Sequence, residues 1–138
     1  MATSKEYSKP LPLIDNSTKP FWEGAKRHEL MLYKCLHCGT YYYPAIHCIA
    51  CENPKMEWVK VTGKGEVYTF CIYHSAFHPA FKEDIPYNVT WIKLLEGPLL
   101  LTNVVECKNE EIYIGMPVEV VFDDVTDEIA LPKFKPTE

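Results

Sequence analysis

The sequence predicts a mainly β protein in which a short helix precedes a small cysteine-rich ribbon and a five-stranded barrel. Two Cys-x2-Cys pairs close together in the first half indicate the ribbon. A succession of short β-type segments divided by turn residues fills the second half and indicates the barrel. With 138 residues, 47% of them hydrophobic and 24% charged, the chain has the size and balance of one globular domain or two very small ones.

The chain divides into four segments by composition and periodicity. We place the boundaries at 1–18 for an extended arm, 19–30 for an amphipathic helix, 31–58 for the ribbon and 59–138 for the barrel. The arm contains prolines, serines and lysines without helical or strand periodicity. The helix is favoured by Pro20, which suits a first helical turn, and by apolar residues close to one face, namely Phe21, Trp22, Ala25 and Leu30.

The barrel prediction depends on five β-type runs, at 66–74, 87–95, 99–107, 118–123 and 129–134. Five strands in such a length are typical of a small closed barrel. The first run is apolar on both faces, with Val67, Thr69, Cys71 and Tyr73 on one side and Tyr68, Phe70, Ile72 and His74 on the other. Because the interior takes only one set, we expect the helix, the ribbon or another protein to cover the second.

Two cysteine pairs nine residues apart form the most specific pattern in the chain: Cys35, Cys38, Cys48 and Cys51. Each pair brings two sulfurs to one cation from a tight turn, and two pairs complete the tetrahedron that zinc prefers in structural sites. Gly39 suits the reversal of the chain after the first pair. Four thiolates leave no open coordination position, so the metal is expected to hold the fold and not to activate water.

The cysteine pattern allows other interpretations. Iron held by four thiolates gives the same pattern, and His37 or His47 lies close enough in sequence to replace one ligand. A redox dithiol is disfavoured because it needs a single Cys-x2-Cys beside a βαβ pattern. Cys71 and Cys107 lie in predicted strands among apolar neighbours, and we expect both to be buried, unreactive side chains.

No catalytic residue is predicted. The sequence has no nucleophile elbow, no phosphate-binding glycine loop and no dinucleotide fingerprint. The loop at 75–86 gathers residues without an obvious core role: Phe77, His78, Phe81 and Lys82. A long loop between the first two barrel strands is often a lid or docking element. The alternative is a surface loop whose phenylalanines pack back onto the barrel.

The charge distribution bears on partners. The formal net charge is -5, with a balance of +2 over residues 1–60 and -7 over 61–138. Nucleic acid is held mainly by lysine and arginine, so the acidic barrel argues against it as a ligand. No run approaches the roughly 20 apolar residues of a membrane span, and residues 1–15 lack the apolar block of a signal peptide. We therefore expect a cytoplasmic protein.

The order of these features resembles a bacterial and archaeal family of zinc-ribbon plus OB-fold proteins that accompany thiolase-like enzymes in acyl-CoA metabolism. The likeness covers residues 20–136 and is carried by Phe21-Trp22-Glu23, the four cysteines, Gly63-x-Gly65-x-Val67-Tyr68, Pro86-Tyr87, Ile114-Gly115-Met116-Pro117-Val118 and Pro132-x-Phe134-x-Pro136. Many members carry an arginine before the second cysteine pair and a proline inside it. This chain has Pro44-Ala45-Ile46-His47-Cys48-Ile49-Ala50-Cys51 instead, so contacts through that arginine are not expected.

The resemblance implies a rubredoxin-like zinc ribbon, an OB-fold barrel and a non-catalytic subunit. Such a subunit docks on a thiolase-like enzyme that cleaves or forms carbon-carbon bonds in CoA thioesters, so the CoA thioester is a ligand of the hetero-oligomer. Catabolism of an aromatic or similar acyl-CoA is expected, with the small subunit of a benzoylsuccinyl-CoA-type thiolase as the specific case. Phe21 and Trp22 are the expected docking residues, and the 75–86 loop is expected near the CoA channel.

The alternative is an OB-fold module acting alone, as an acyl-CoA carrier or as a binder of single-stranded nucleic acid. Nucleic-acid binding by an OB barrel needs aromatic platforms in a basic groove. The acidic balance of residues 61–138 disfavours that version.

Overall fold

The computed structural model describes residues 9–43, 48–52 and 55–137. A helix, α1 (Lys19–Lys26), precedes a three-stranded sheet of β1 (Met31–Cys35), β2 (Tyr41–Tyr42) and β3 (Met56–Lys60). A five-stranded sheet follows, formed by β4 (Lys64–Tyr73), β5 (Tyr87–Leu94), β6 (Leu99–Thr102), β7 (Pro117–Asp124) and β8 (Ala130–Pro136). The predicted fold class is confirmed. None of the described helices is long and apolar enough to span a bilayer.

The helix is shorter than the predicted 19–30 segment, because a Schellman motif ends it at Lys26. His28 adopts the left-handed conformation, with φ 63°. Its N–H donates to the Ala25 carbonyl over 2.8 Å, and the next N–H, from Glu29, donates to the Gly24 carbonyl over 2.8 Å. His28 Nε2 also lies 2.9 Å from Asp124 Oδ1, which ties this end of the helix to the end of β7.

The ribbon sheet has the order β2-β1-β3, with both neighbours antiparallel to β1. Strands β1 and β2 flank the first cysteine pair, where alternating Met31 and Tyr33, then Tyr41 and Tyr43, predict two short strands. The third strand was not predicted, and it runs to Lys60, two residues past the expected ribbon boundary at 58. All five residues of β3 pair with β1, which places Met56 opposite Cys35. The first metal-ligand candidate is therefore held at the end of a doubly paired strand.

The barrel sheet has the order β6-β5-β4-β7-β8 and contains all five predicted strands. Strand β6 ends at Thr102 and not near 107, because the chain then crosses to β8. A parallel bridge joins Val104 to Phe134. Phe134 N–H donates to the Asn103 carbonyl over 3.0 Å, and Val105 N–H donates to the Phe134 carbonyl over 2.7 Å. This bridge curls the two outer strands of the sheet toward each other.

A β-bulge in β4 overturns the predicted assignment of its two faces. The register with β5 shifts between Val67 and Thr69, so Tyr68 is the extra residue. Val67 is buried and Tyr68 is exposed, but beyond the bulge Phe70 packs against the core. Cys71 is consequently exposed, and its predicted burial is wrong. Cys107 is partly buried and packs against the core, so its position agrees better than that of Cys71 with the predicted burial.

One continuous cluster of buried side chains joins the helix, the ribbon and the barrel. Phe21 from α1 and Leu32 from β1 belong to the same cluster as the barrel residues Val67, Ile92 and Phe134. The rings of Phe21 and Tyr43 lie 4.4 Å apart, centroid to centroid. The predicted boundaries between segments therefore do not coincide with breaks in the core.

Candidate metal centre and partner-facing surface

The fold brings the four predicted cysteines together at one end of the ribbon sheet. The first pair lies on the turn after β1, where Gly39 has φ 78° and its N–H donates to the Cys35 carbonyl over 2.9 Å. The second pair lies on a similar turn that ends at Glu52, with φ 58°. All four sulfurs lie within 4.8 Å of one another. The cysteines are Cys35, Cys38, Cys48 and Cys51.

The spacing of the sulfurs fits a single tetrahedral ion. Neighbouring Sγ atoms are 3.5 Å apart between Cys35 and Cys51, 3.4 Å between Cys38 and Cys48, and 3.5 Å between Cys48 and Cys51. Zinc bound to four thiolates at about 2.3 Å would separate them by about 3.8 Å. The all-sulfur donor set suits zinc or iron. His37 is exposed and outside this cluster, and His47 lies outside the described residues.

Two hydroxyl groups contact the cysteine sulfurs, and neither was predicted from sequence. The Tyr42 hydroxyl lies 3.3 Å from Cys48 Sγ, and the Thr40 hydroxyl lies 3.1 Å from Cys38 Sγ. The hydrogen bond from Tyr42 lowers the pKa of Cys48 to about 6. The contact with Thr40 likewise lowers the pKa of Cys38. Both hydroxyls therefore favour the thiolate form, which is the form that binds a metal.

The 75–86 loop places its predicted residues in two different environments. Phe77 is 82% exposed, and His78 and Lys82 are also exposed. Phe81 is partly buried, and its ring lies 5.6 Å from the ring of Tyr87. His78 Nδ1 accepts the Ala80 N–H over 3.0 Å and so caps the short 3-10 turn Pro79–Phe81. One phenylalanine thus packs back onto the barrel while the other points outward.

Four rings form a continuous row along this edge, which we call the aromatic row: Phe77, Tyr73, Tyr87 and Phe81. Successive ring centroids are 5.7 Å, 5.5 Å and 5.6 Å apart. The row joins the loop to the outer surface of β4 and β5. Tyr73 and Tyr87 were not predicted to belong to a site, because their pairing depends on the register of these strands.

Between the aromatic row and the Glu66–Lys93 pair, the outer surface of β4, β5 and β6 carries uncharged side chains. Cross-strand partners there are Cys71 with Val89, Thr69 with Trp91, and Trp91 with Leu101. Trp91 is 41% exposed and Leu101 is 52% exposed. We call this set the uncharged face: Thr69, Cys71, Val89, Trp91 and Leu101. Exposed apolar side chains grouped in this way are typical of protein interaction surfaces.

The two docking residues predicted on the helix differ in exposure. Phe21 is only 2% exposed and contacts Trp22 and Tyr43, so its side chain is part of the core. A side chain this buried has no surface left for a partner. Trp22 is partly buried and packs against the core with its remaining surface open.

A pocket of about 390 Å³ lies between the arm, the 75–86 loop and the barrel. Lys9 reaches it from the arm, with Nζ 2.6 Å from Asp84 Oδ2 and 5.4 Å from the centroid of Phe81. Lys133, on the barrel side, pairs with Asp123 over 2.8 Å. The arm therefore contacts this chain's own loop from Lys9 onward, and both lysines that line the pocket are engaged within the chain.

A short helix, a four-cysteine ribbon and a curled five-stranded sheet together define a zinc-ribbon plus OB-fold protein. Residues 22–57 match the family described as "ChsH2, rubredoxin-like zinc ribbon domain", and residues 58–123 match "ChsH2, C-terminal OB-fold domain". A "DUF35 domain-containing scaffold protein" of Methanocaldococcus jannaschii is 38% identical, covering 91% of this chain and 95% of the relative. The chain belongs to the DUF35 family.

Two further similarities connect the chain to subunits of enzymes. A "Probable enoyl-CoA hydratase alpha subunit" of Thermomonospora curvata is 34% identical over 93% of this chain, and the chain spans 40% of the length of that subunit. Among solved structures, a chain of the "Ltp2-ChsH2(DUF35) aldolase" superposes with a TM-score of 0.81 at 34% identity, covering 91% of this chain and 98% of the other.

Proposed function

We propose that this chain is a non-catalytic, metal-stabilised scaffold subunit that docks on an enzyme acting on acyl-CoA thioesters. The uncharged face, continuous with the aromatic row, is the observation that carries the proposal. The family resemblance favours a thiolase-like partner. The relatives' names add a scaffold protein, a hydratase subunit and an aldolase complex.

The described residues support a non-catalytic role. Cys71 and Cys107 form no hydrogen bond with a histidine among them, so neither has the base that a cysteine nucleophile uses. His28 pairs with Asp124 and His78 caps its own turn. We therefore assign the chemistry to the partner enzyme.

Within the same proposal, Cys35, Cys38, Cys48 and Cys51 hold one structural metal ion. Zinc is favoured because the ribbon belongs to a zinc-ribbon family and offers four sulfurs at tetrahedral spacing. Iron satisfies the same donor set. Elemental analysis of protein purified without added metal distinguishes them, and a metal content far below one ion per chain contradicts this part of the proposal.

The uncharged face suits docking because burying it removes apolar surface from water without stripping hydration from ions. Charged residues begin at the next rung of the sheet, where Glu66 pairs with Lys93. A charge-free core surrounded by a polar rim is typical of protein interfaces. Trp22 would extend the contact on the helix side.

The loop at 75–86 would lie beside the substrate channel of the partner in this arrangement. Phe77, His78 and Lys82 are exposed at the end of the aromatic row, with Lys82 available to meet a CoA phosphate. More specifically, we propose that the complex acts in the catabolism of an aromatic acyl-CoA. A benzoylsuccinyl-CoA-type thiolase is the specific case. The partner's own pocket would define that substrate.

The test is to co-express this chain with a thiolase-like or other acyl-CoA enzyme whose gene lies next to the gene for this chain. We expect the two chains to co-elute, and the charge introduced by Leu101→Asp or Trp91→Asp to abolish co-elution. Ile114→Asp is the control, since Ile114 is an apolar residue outside the uncharged face and is even more exposed than Leu101 or Trp91. Equal co-elution of all three variants contradicts docking through this face, and turnover by this chain alone contradicts the non-catalytic role.

Calorimetry with CoA separates the scaffold from a stand-alone acyl-CoA carrier. We expect no measurable binding to this chain alone and binding to the complex. The lysines that line the 390 Å³ pocket already pair with Asp84 and Asp123, so a free phosphate would have to displace a carboxylate. Tight binding by the chain alone favours the carrier instead.

A further inference from the structure

We propose that Tyr42 is a positioning residue of the metal centre, which donates a hydrogen bond to the Cys48 sulfur and fixes the turn that carries the second cysteine pair. The inference rests on the proposed four-cysteine metal site. It adds a group beyond the ligands themselves. Outer groups of this kind orient ligands and tune the bound metal.

The hydrogen bonds of the Tyr42 hydroxyl determine where its proton points. The backbone N–H groups of Ile49 and Ala50 donate to this oxygen over 3.1 Å and 3.2 Å. A phenol has one proton and a limited number of lone pairs, and two N–H donors occupy its acceptor sites. The proton is therefore left for the third neighbour, Cys48 Sγ, at 3.3 Å.

Burial explains why this sulfur needs an internal donor. Cys48 is 0% exposed, so water does not hydrogen-bond its sulfur. A hydrogen bond to an ionised acceptor is stronger than one between neutral groups. The Tyr42 hydroxyl thus offsets part of the cost of keeping a thiolate out of solvent. Cys38, the exposed member of the cluster, has the Thr40 hydroxyl at 3.1 Å.

The position of Tyr42 in the sheet connects the two cysteine turns. Strand β2 pairs with β1, and Tyr42 is the register partner of Tyr33. Tyr33 lies in β1, and β1 ends two residues later, at Cys35. One end of Tyr42 is therefore anchored to the strand that carries the first pair, while its hydroxyl binds the turn of the second pair. The distance between the two pairs depends on this side chain.

The experiment compares Tyr42→Phe with Tyr41→Phe in the full chain loaded with cobalt(II). Phenylalanine keeps the ring and removes only the hydroxyl. Tyr41 is the matched control, because it lies in the same strand and its ring contacts the Lys34 ammonium at 5.5 Å. The measurements are cobalt affinity, by competition with a chelator, and the energy of the thiolate-to-cobalt charge-transfer band.

We expect Tyr42→Phe to weaken cobalt binding by about tenfold or more, the usual effect of removing an outer-shell partner. The charge-transfer band should move to lower energy, because a sulfur that loses a hydrogen bond releases its electrons more easily. Tyr41→Phe should change neither quantity. A Tyr42→Phe protein with wild-type affinity and band overturns the inference. So does weaker binding with an unchanged band, which would indicate only a packing role.

A different result would contradict the proposed metal site itself. If the wild-type chain, with its thiols reduced, takes up no cobalt, then the metal part of the proposed function fails, and this inference fails with it. Normal uptake by the wild type with no effect of Tyr42→Phe overturns this inference alone. Circular dichroism of each loaded variant shows whether its sheet is intact.

Discussion

The side-chain amide of Asn88 makes two hydrogen bonds with the backbone of Val104. Its Nδ2 donates to the Val104 carbonyl over 2.9 Å, and the Val104 N–H donates to Oδ1 over 2.7 Å. Asn88 is 5% exposed. Strand β6 has already ended at Thr102, so the amide takes the place of the next backbone partner. It thereby holds the segment that crosses to Phe134 and curls the sheet.

Replacing Asn88 by alanine should therefore destabilise the barrel. Two buried backbone groups would lose their partners, which costs about 2–4 kcal/mol of unfolding free energy in total. Urea unfolding followed by tryptophan fluorescence measures the change. Thr126→Ala is the control, because its hydroxyl accepts the Ile129 N–H over 2.9 Å at a partly buried position and makes no hydrogen bond to Asn88 or Val104 among the described residues. Equal losses in both variants would contradict a special role for Asn88.

Phe21→Ala should cost about 3–5 kcal/mol, the usual penalty for truncating a buried aromatic ring. The ring lies in the core cluster shared by helix, ribbon and barrel. Trp22→Ala should cost less, because Trp22 is only partly buried. Thermal unfolding ranks the two variants. A larger loss for Trp22 than for Phe21 would contradict the assignment of Phe21 to the core.

Removing the metal should destabilise the barrel as well as the ribbon. A strong chelator, or Cys48→Ser, removes the metal link between the two cysteine turns. Because Leu32 and Phe21 belong to the core cluster shared with the barrel, we expect a loosened ribbon to weaken their packing against it. We expect the barrel's melting temperature to fall by at least about 5 °C, the shift that one kcal/mol or more produces in a small domain. An unchanged barrel transition would show that the barrel core is independent of the ribbon.

The two cysteines outside the metal centre should differ in reactivity. Cys71 is exposed, whereas burial raises the pKa of Cys107, with the Glu111 charge as a second cause. A raised pKa means less thiolate at pH 8, so Cys107 should react more slowly with a thiol reagent. Mass spectrometry of the metal-loaded chain over time locates the label. Cys71→Ser should remove the fast phase, and persistence of that phase would contradict the exposure of Cys71.

Much of the site was predictable because it depends on local spacing. Cys35 and Cys38, and likewise Cys48 and Cys51, are brought together by a turn of a few residues, which the sequence pattern specifies directly. Tyr42 was not predictable in the same way, because nothing local indicates that its hydroxyl reaches Cys48 six residues away. The end of the helix was also missed, since a histidine in the left-handed conformation replaces the usual glycine.

The sequence by itself determined the element order, the four-cysteine cluster and the five barrel strands, because each depends on neighbours within one turn or one strand. The tertiary structure decided which side chains face outward. The bulge at Tyr68 shifts β4 by one residue, and since side chains alternate along a strand, every later side chain changes face. That shift exposes Cys71 and aligns Tyr73 with Tyr87, whereas packing of the helix between ribbon and barrel buries Phe21. Such placements follow from contacts between distant segments, which no local pattern records.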